Sequence, residues 1–530
     1  MDIIGSASRQ PEDARDAWRV RPPDPRRGEH NLSHRARSID VAGIERVRWA
    51  HDGSHPGSPF VWCLMTCLFR FGWLSVFRHR TSSAVEPVDP ARGSICFAWH
   101  TSGLVDPVAI MMTHPHRLLG IGRHDLVTRP PVGWWVRKTG GQPIIRKREI
   151  DAGLIDEATA RRINARGLGT MAHALAGGAG AIIMPEGTSH LDPFIRPLRS
   201  GVFRIAVNAS AIAEQRGWTR PVVQPVGLHY RNSTRFRSDV HVEYDEPLTM
   251  PSTGIDGADA ERLVSGEWIE PPEAIVETLR DRGEAALRRL TPDAATWAET
   301  HRWDVIAHVE SAERGRPLSG LQAEVLARRS VRDRLRSLDE PALDPLLEAA
   351  DEVAALLLEH DLDGRAIASG ELDTSIGRPL LGALAALLLL LISLPVSLPV
   401  SLVPLLIGRW LGDRTDEGLD NRVTIHLVIA SFKSFLITPV IVAPLLIWLF
   451  LTMGFSPSMS LLLTLLSLPL ACLATQPFDL LTLKAFDLLD DLLTAGRRRR
   501  LGSRDTGAGL SAAIERLRAA TAVLSTPAST

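Results

Sequence analysis

From Ser434 to Phe478 the chain carries no formally charged residue, and Leu380 to Gly408 is equally free of charge. An uncharged apolar run of that length is long enough to cross the roughly 30 Å of hydrocarbon in a bilayer. Elsewhere the sequence reads as a soluble protein, so a soluble domain attached to a membrane segment is expected. The 530 residues suggest about three units at about 150 residues each. A net charge of -1 argues against a nucleic-acid binder that relies on global basicity. Lysine occurs only at 138, 147, 433 and 484, so the cations are almost all Arg. Arg offers two-pronged contacts to phosphate or carboxylate, though a biased genome produces the same skew. Cys63, Cys67, Cys96 and Cys472 sit in apolar sequence with no ligand spacing except the i, i+4 pair Cys63/Cys67, which fits reduced thiols rather than structural zinc or a disulfide framework.

Charge, proline and length divide the chain. Residues 1–55 lack periodicity and the order of a secretory signal, and read as a disordered leader. Residues 56–80 hold FVWCLMTCLFRFGWLSVF (Phe60–Phe77), an interfacial or membrane-associated helix with Arg70 reaching back to the headgroups. Residues 81–251 alternate short β-like runs with helical patterns, which implies an α/β fold with a mixed sheet flanked by helices. SICFAW, QPII, GAIIM, VVQPVGL and DVHVEY are the strand candidates. Residues 252–376 read as a helical accessory region. Within 377–478, prolines 395, 399 and 404 argue against one straight helix over 380–407 and permit a re-entrant segment, while 434–475 reads as a helical hairpin with Lys433 and Arg497–Arg500 on one side. Residues 479–530 read as an amphipathic helix suited to an anionic membrane surface, then a polar basic tail.

Four blocks carry the chemistry. SICFAW delivers His100 at a strand end, and TSGLVDP places Asp106 before Pro107, where it also suits a helix start. A neutral imidazole there can take a proton from a hydroxyl near pH 7. QPIIRKRE clusters Arg146, Lys147 and Arg148 beyond a strand, suited to an anionic headgroup or to a solvated surface. GAIIMPEGTSH runs a strand into Glu186, Gly187, Thr188 and Ser189, a Gly turn with hydroxyls that exposes backbone N–H groups to an anion. VVQPVGLHY places Pro225 inside a strand, which points to an edge, a bulge or a pocket wall. His114, His116 and His124 read as a basic loop rather than a zinc site, so no metal is expected. A Gly-x-Ser-x-Gly elbow is lacking, which disfavours a serine hydrolase route.

Taken in order, these blocks resemble the glycerolipid acyltransferases, the family of glycerol-3-phosphate and lysophosphatidic acid acyltransferases. That family's first block is His, four residues, Asp; here five separate His100 from Asp106, as in the fungal-type glycerol-3-phosphate/dihydroxyacetone-phosphate acyltransferases and their bacterial relatives. GGQPIIRKRE, MPEGTSHLDPFIRPLRSGVFRIAV and QPVGLHYRNSTRFRSDVHVEYDEPL resemble the same subgroup. The resemblance covers Ser94 to Met250, and more loosely the apolar pair after TIHLVIASFKSFLITP. It implies His100 as general base, Asp106 fixing its tautomer, and direct attack of a glycerol hydroxyl on an acyl thioester without a covalent acyl-enzyme. It implies acceptor binding by Arg146 and the Glu186–Gly187 turn, with Thr188, Ser189, Arg148 and Arg199 as neighbours, and a pocket shaped by Pro225. No cofactor is implied; acyl-CoA or acyl carrier protein is the co-substrate, membrane lipids are partners and nucleic acid is not. The implied location is a membrane, with the catalytic domain on the cytoplasmic face of a bacterial inner membrane. Two other readings keep the fold: a CoA-independent phospholipid transacylase and a non-catalytic lipid-binding scaffold.

Overall fold

The computed structural model describes residues 38–525 except 88, 131, 339, 369–370, 414–421 and 504. Its centre is a mixed seven-stranded sheet: β1 (Phe77–Ala84), β2 (Ser94–Ala98), β3 (Leu118–Arg123), β4 (Gln142–Ile144), β5 (Gly180–Ile183), β6 (Val222–Tyr230) and β7 (Ser238–Tyr244), ordered β1-β7-β6-β2-β5-β3-β4. Strands β4, β3, β5, β2 and β6 are parallel, β7 is antiparallel to β6, and β1 runs parallel to β7. Five strands therefore release their carboxyl ends along one edge, where open α/β sheets place ligands.

Period-two alternation assigns the faces. Ile95, Phe97 and Trp99 point into a core with α7 (Glu157–Ala176) and α8 (Gly201–Gln215). Cys96 and Ala98 point into the opposite core with α2 (Pro59–Val76) and α3 (Val105–Thr113). Shorter helices α1 (Val41–Ile44), α4 (His124–Thr128), α5 (Val132–Lys138) and α6 (Lys147–Asp151) cover the β3–β4 side. Two boundaries move. Ile44 is fully buried and packs with Ile145 and Ile163, so the described part of the leader, from residue 38, belongs to the folded domain. Residues 1–37 lie outside the described residues. At the other end, α9 (Gly257–Val264) and α10 (Glu273–Leu290) complete the first core through Leu263, Leu279 and Leu287, so the sheet domain runs past residue 251. Gly283 of α10 lies so close to Phe203 that a Cβ would come 2.7 Å from its ring.

Strand β6 overturns one expectation: it is interior, not an edge. Pro225 pairs with Phe97 on the β2 side, and its missing donor falls where the β7 ladder ends. The Asp245 carbonyl that Pro225 cannot serve accepts from the Gln224 side-chain amide instead, and the Asp245 N–H still donates to Pro225 O at 3.2 Å.

A second core joins α11 (Trp297–Glu313), α12 (Leu321–Leu335) and α13 (Glu340–Glu359) to α20 (Asp505–Ser525), beside a small hairpin of β8 (Ile367–Ala368) and β9 (Glu371–Leu372). The tail is thus a packed helix, with Leu510, Ile514 and Leu517 at or near zero exposure. Between them run α14 (Gly377–Ser397), α15 (Val403–Asp413), α16 (Arg422–Leu436), α17 (Thr438–Thr452), α18 (Pro457–Ala474) and α19 (Gln476–Gly502). Among the described residues, four helical runs, Pro59–Val76, Gly377–Gly408, Arg422–Thr452 and Pro457–Gly502, are long and apolar enough to cross a membrane by length and composition. Where a re-entrant segment was expected, the chain stays helical through Pro395 and absorbs Pro399 in a π-helical turn, Leu398–Leu402, whose wider ring tolerates the lost donor. Helices α17 and α18 are joined through Gly454 in a left-handed conformation.

Helix α19 also departs from expectation. Its acidic face is docked on the sheet domain: Asp491 pairs with Arg78, Asp490 with Arg235 and Asp487 with Arg237. Arg497 and Arg498 of the basic run pair with Asp361 and Asp373 of the accessory region. Lys433 is buried against Asp479 and Ser401 rather than facing water.

Candidate active site

His100 leaves β2 at the carboxyl edge, and its Nδ1 lies 2.9 Å from Asp106 Oδ2. The same oxygen accepts the Thr101 N–H at 2.7 Å and the Ser102 N–H at 2.8 Å, while Oδ1 accepts the Tyr230 hydroxyl at 2.7 Å. Asp106 has no solvent exposure, so four donors are what make its carboxylate tolerable there. Helix α3 starts two residues earlier than Asp-Pro suggests, and the carboxylate turns back onto the loop instead of capping the helix. Because Asp106 can only accept, Nδ1 carries the proton, and the Nε2 lone pair is left to act as a base. The five-residue interval costs nothing in geometry: Thr101 and Ser102 form the tight loop that lets both backbone donors and the ring converge.

The turn after β5 has a different task from the one its motif suggests. Glu186 is buried, and its carboxylate is spent inside the protein: Oε1 accepts the His100 N–H at 3.2 Å, and Oε2 accepts the Arg196 N–H at 3.1 Å and pairs with His190 Nε2. A buried carboxylate so engaged does not bind a phosphate; it positions His100. His190 closes the ring by donating its N–H to His100 O at 3.0 Å. Burial depresses the His190 imidazole, but its bonds to Asp192 and Glu186 outweigh that and hold its pKa above the ordinary value. Gly187 has φ +75°, and a Cβ there would lie 2.7 Å from Arg199 Nε. Arg199 lies across this turn, 3.4 Å from Glu186 O, next to exposed Thr188 and half-buried Ser189.

Arg146 emerges from β4 on the same sheet edge and Arg148 follows on α6. Both guanidinium groups lie 3.9 Å from Glu149, whose carboxyl is pushed up by burial. Pro225 is buried in the body of the sheet. His114, His116 and His124 are buried, and burial pushes His114 down to about 3, so they are not a basic loop. Among the described residues, ligand atoms of Asp304, His308 and Glu324 lie within 4.8 Å of one another. Arg231 already doubly bonds Glu324, and Arg328 stands 4.0 Å from Asp304, so guanidinium groups occupy the cation positions.

Sequence reasoning missed Tyr230, His190, Arg231 and Arg237. Tyr230 and His190 stood within quoted blocks, but only the register of β6 against β2 reveals that Tyr230 reaches Asp106. Helix α16 supplies another unforeseen contact: the Leu104 N–H of the dyad loop donates to Thr424 Oγ1 at 3.0 Å.

Residues 79–229, which hold strands β2 to β5, most of β6 and both His100 and Asp106, match the family model Acyltransferase. The chain is 38% identical over 68 residues to the Glycerol-3-phosphate O-acyltransferase 2 of Saccharomyces cerevisiae, a match covering 13% of this chain and 9% of the yeast protein. A comparison with the crystal structure of the 1-acyl-sn-glycerophosphate (LPA) acyltransferase PlsC from Thermotoga maritima covers 43% of this chain and 80% of that one, at 20% identity and a TM-score of 0.27. Over residues 79–229 the chain is thus similar to acyltransferases, and the short likeness to the yeast enzyme is of the same kind.

Proposed function

We propose that this protein is a membrane-bound O-acyltransferase that moves a fatty acyl group from an acyl thioester to the hydroxyl of glycerol 3-phosphate, dihydroxyacetone phosphate or 1-acylglycerol 3-phosphate. The observation that carries this reading is the His100–Asp106 pair at the sheet's carboxyl edge, with Nε2 left as a base. His100 takes the hydroxyl proton as the oxygen attacks the thioester carbonyl carbon. The tetrahedral adduct collapses, the C–S bond breaks, and the leaving thiolate takes the proton from the imidazolium. Asp106 stabilises that imidazolium and holds the tautomer. Arg146, Arg148 and Arg199 on the same edge supply the cations a phosphate requires, with Thr188 and Ser189 as hydroxyl donors. The donor is acyl-CoA or acyl carrier protein, and the catalytic edge faces the cytoplasm of a bacterial inner membrane.

The test offers both thioester donors with each acceptor to detergent-purified protein, beside His100→Ala. Ester product from one acceptor, lowered at least about 10²-fold by the substitution, is expected. Acyl transfer from a phospholipid with no thioester present would move the assignment to a transacylase.

A further inference from the structure

The four donors to Asp106 are unequally shared. Oδ2 holds His100 and two backbone N–H groups, whereas among the described residues Tyr230 is the donor to Oδ1. We propose that Tyr230 is a positioning residue that sets the basicity of His100 by drawing charge from Asp106. For its kinetic arm this rests on the acyl-transfer reading above; its spectroscopic arm does not.

The hydroxyl is held from several sides. Tyr230 ends β6, paired with Val240 of β7, and its ring stacks on Phe77 at 5.8 Å between centroids. The next residue, Arg231, is tied to Asp239 at 2.8 Å and to Glu324 of the accessory helices. Burial, with the Asp106 charge behind it, keeps the phenol pKa well above 10, so Tyr230 remains a donor across the working range of an imidazole. A carboxylate that gives part of its charge to a phenol stabilises a neighbouring imidazolium less. Other titratable and charged groups also lie around the dyad among the described residues. The β5 turn brings Glu186 and His190, bonded to each other and to the His100 backbone, with Asp192, Arg196 and Arg199 behind them. Helix α16 brings Thr424 to the loop and sets His426 against Phe236.

The first arm measures kcat/KM against pH for the full chain and for Tyr230→Phe. Removing the donor concentrates charge on Asp106, and the acid limb is expected to move up by about one pH unit, lowering the rate on that limb about tenfold. Acceptor KM should stay unchanged. A uniform loss at every pH, or an unmoved limb, would overturn the proposal, since a merely structural role gives that result. The second arm uses 3-fluorotyrosine protein, which keeps the native hydrogen bond. The chain has 2 tyrosines, so two ¹⁹F resonances are expected, one of them the Tyr244 signal. The Tyr230 resonance should titrate between about pH 5 and about pH 9 and stop doing so in His100→Ala. A Tyr230 signal that is flat in the unmutated chain refutes the coupling. If it titrates while no donor and acceptor pair reacts, the acyl-transfer reading fails and the coupling stands.

Discussion

At the residue scale, the site is built less from groups that meet a substrate than from groups that hold two side chains still. Gly187 is a clear case: with φ +75° and Arg199 against it, Gly187→Ala combines backbone strain with a clash and should cost about 1–3 kcal/mol in a denaturant melt. Because the turn also carries Glu186, activity should fall with it. His190 makes a pH-dependent contribution. Its pKa is raised on folding, so the stabilisation is fully present below the unfolded value of about 6.5 and is lost as pH rises through the folded value. The melting-temperature gap between the unmutated chain and His190→Gln should therefore narrow steadily as pH is raised from 6.5 upward, as measured by thermal scans. The dyad itself was legible in the sequence because strand, loop and motif are contiguous there. The role of Glu186 was misread because a spacing pattern cannot tell a carboxylate aimed at solvent from one turned inward.

At the element scale, Arg237 does what no helix signal in the sequence announces. It has φ 61°, and its NH1 donates to the carbonyls of Leu74, Ser75 and Phe77 where α2 ends. Nε and NH2 grip Asp487 of α19. The Leu74 and Phe77 carbonyls also accept from Arg80 NH1, so the two guanidinium groups together serve this helix end. Arg237→Ala leaves a buried Asp487 unpaired and should destabilise by about 3–5 kcal/mol, and Arg237→Lys should recover only a small part, since one ammonium cannot serve both partners. Comparing unfolding midpoints of the three proteins checks this. Strand β2 was readable because it is buried on both faces. Strand β1, FRHRTSSA, was hidden because an edge strand this polar has no hydrophobic alternation, and only its parallel pairing with β7 defines it. Glu324, which Arg231 grips, and Asp487, which Arg237 grips, lie 93 and 250 residues away, beyond any local pattern.

At the scale of the whole molecule, the final helix closes the core of the accessory region. Stopping the chain after Gly502 removes Leu510, Ile514 and Leu517 from the core they share with α11 and α13, to which Val309 and Val353 also belong. Burying each such side chain is worth about 1.5–3 kcal/mol. The truncated protein should lose cooperative unfolding of the accessory helices and admit protease between 297 and 359, while sites within β2 and β5 stay protected. Limited proteolysis with mass mapping reads both outcomes. The acidic and basic residues of α19 looked like a membrane-surface face in the sequence because their partners belong to other units of the same chain.

The bond from Leu104 to Thr424 joins residues 320 positions apart. A ribosome that has just finished the sheet has made every strand and both members of the dyad, yet the helix on which their loop hangs is still unwritten. The loop takes its final support only when α16 emerges and docks against α2, where Gly72 and Ser431 let the two backbones approach closely. Synthesis order thus delays completion of the dyad loop until a largely apolar part of the chain has found its place, and a half-made chain has the chemical groups without the frame that aligns them.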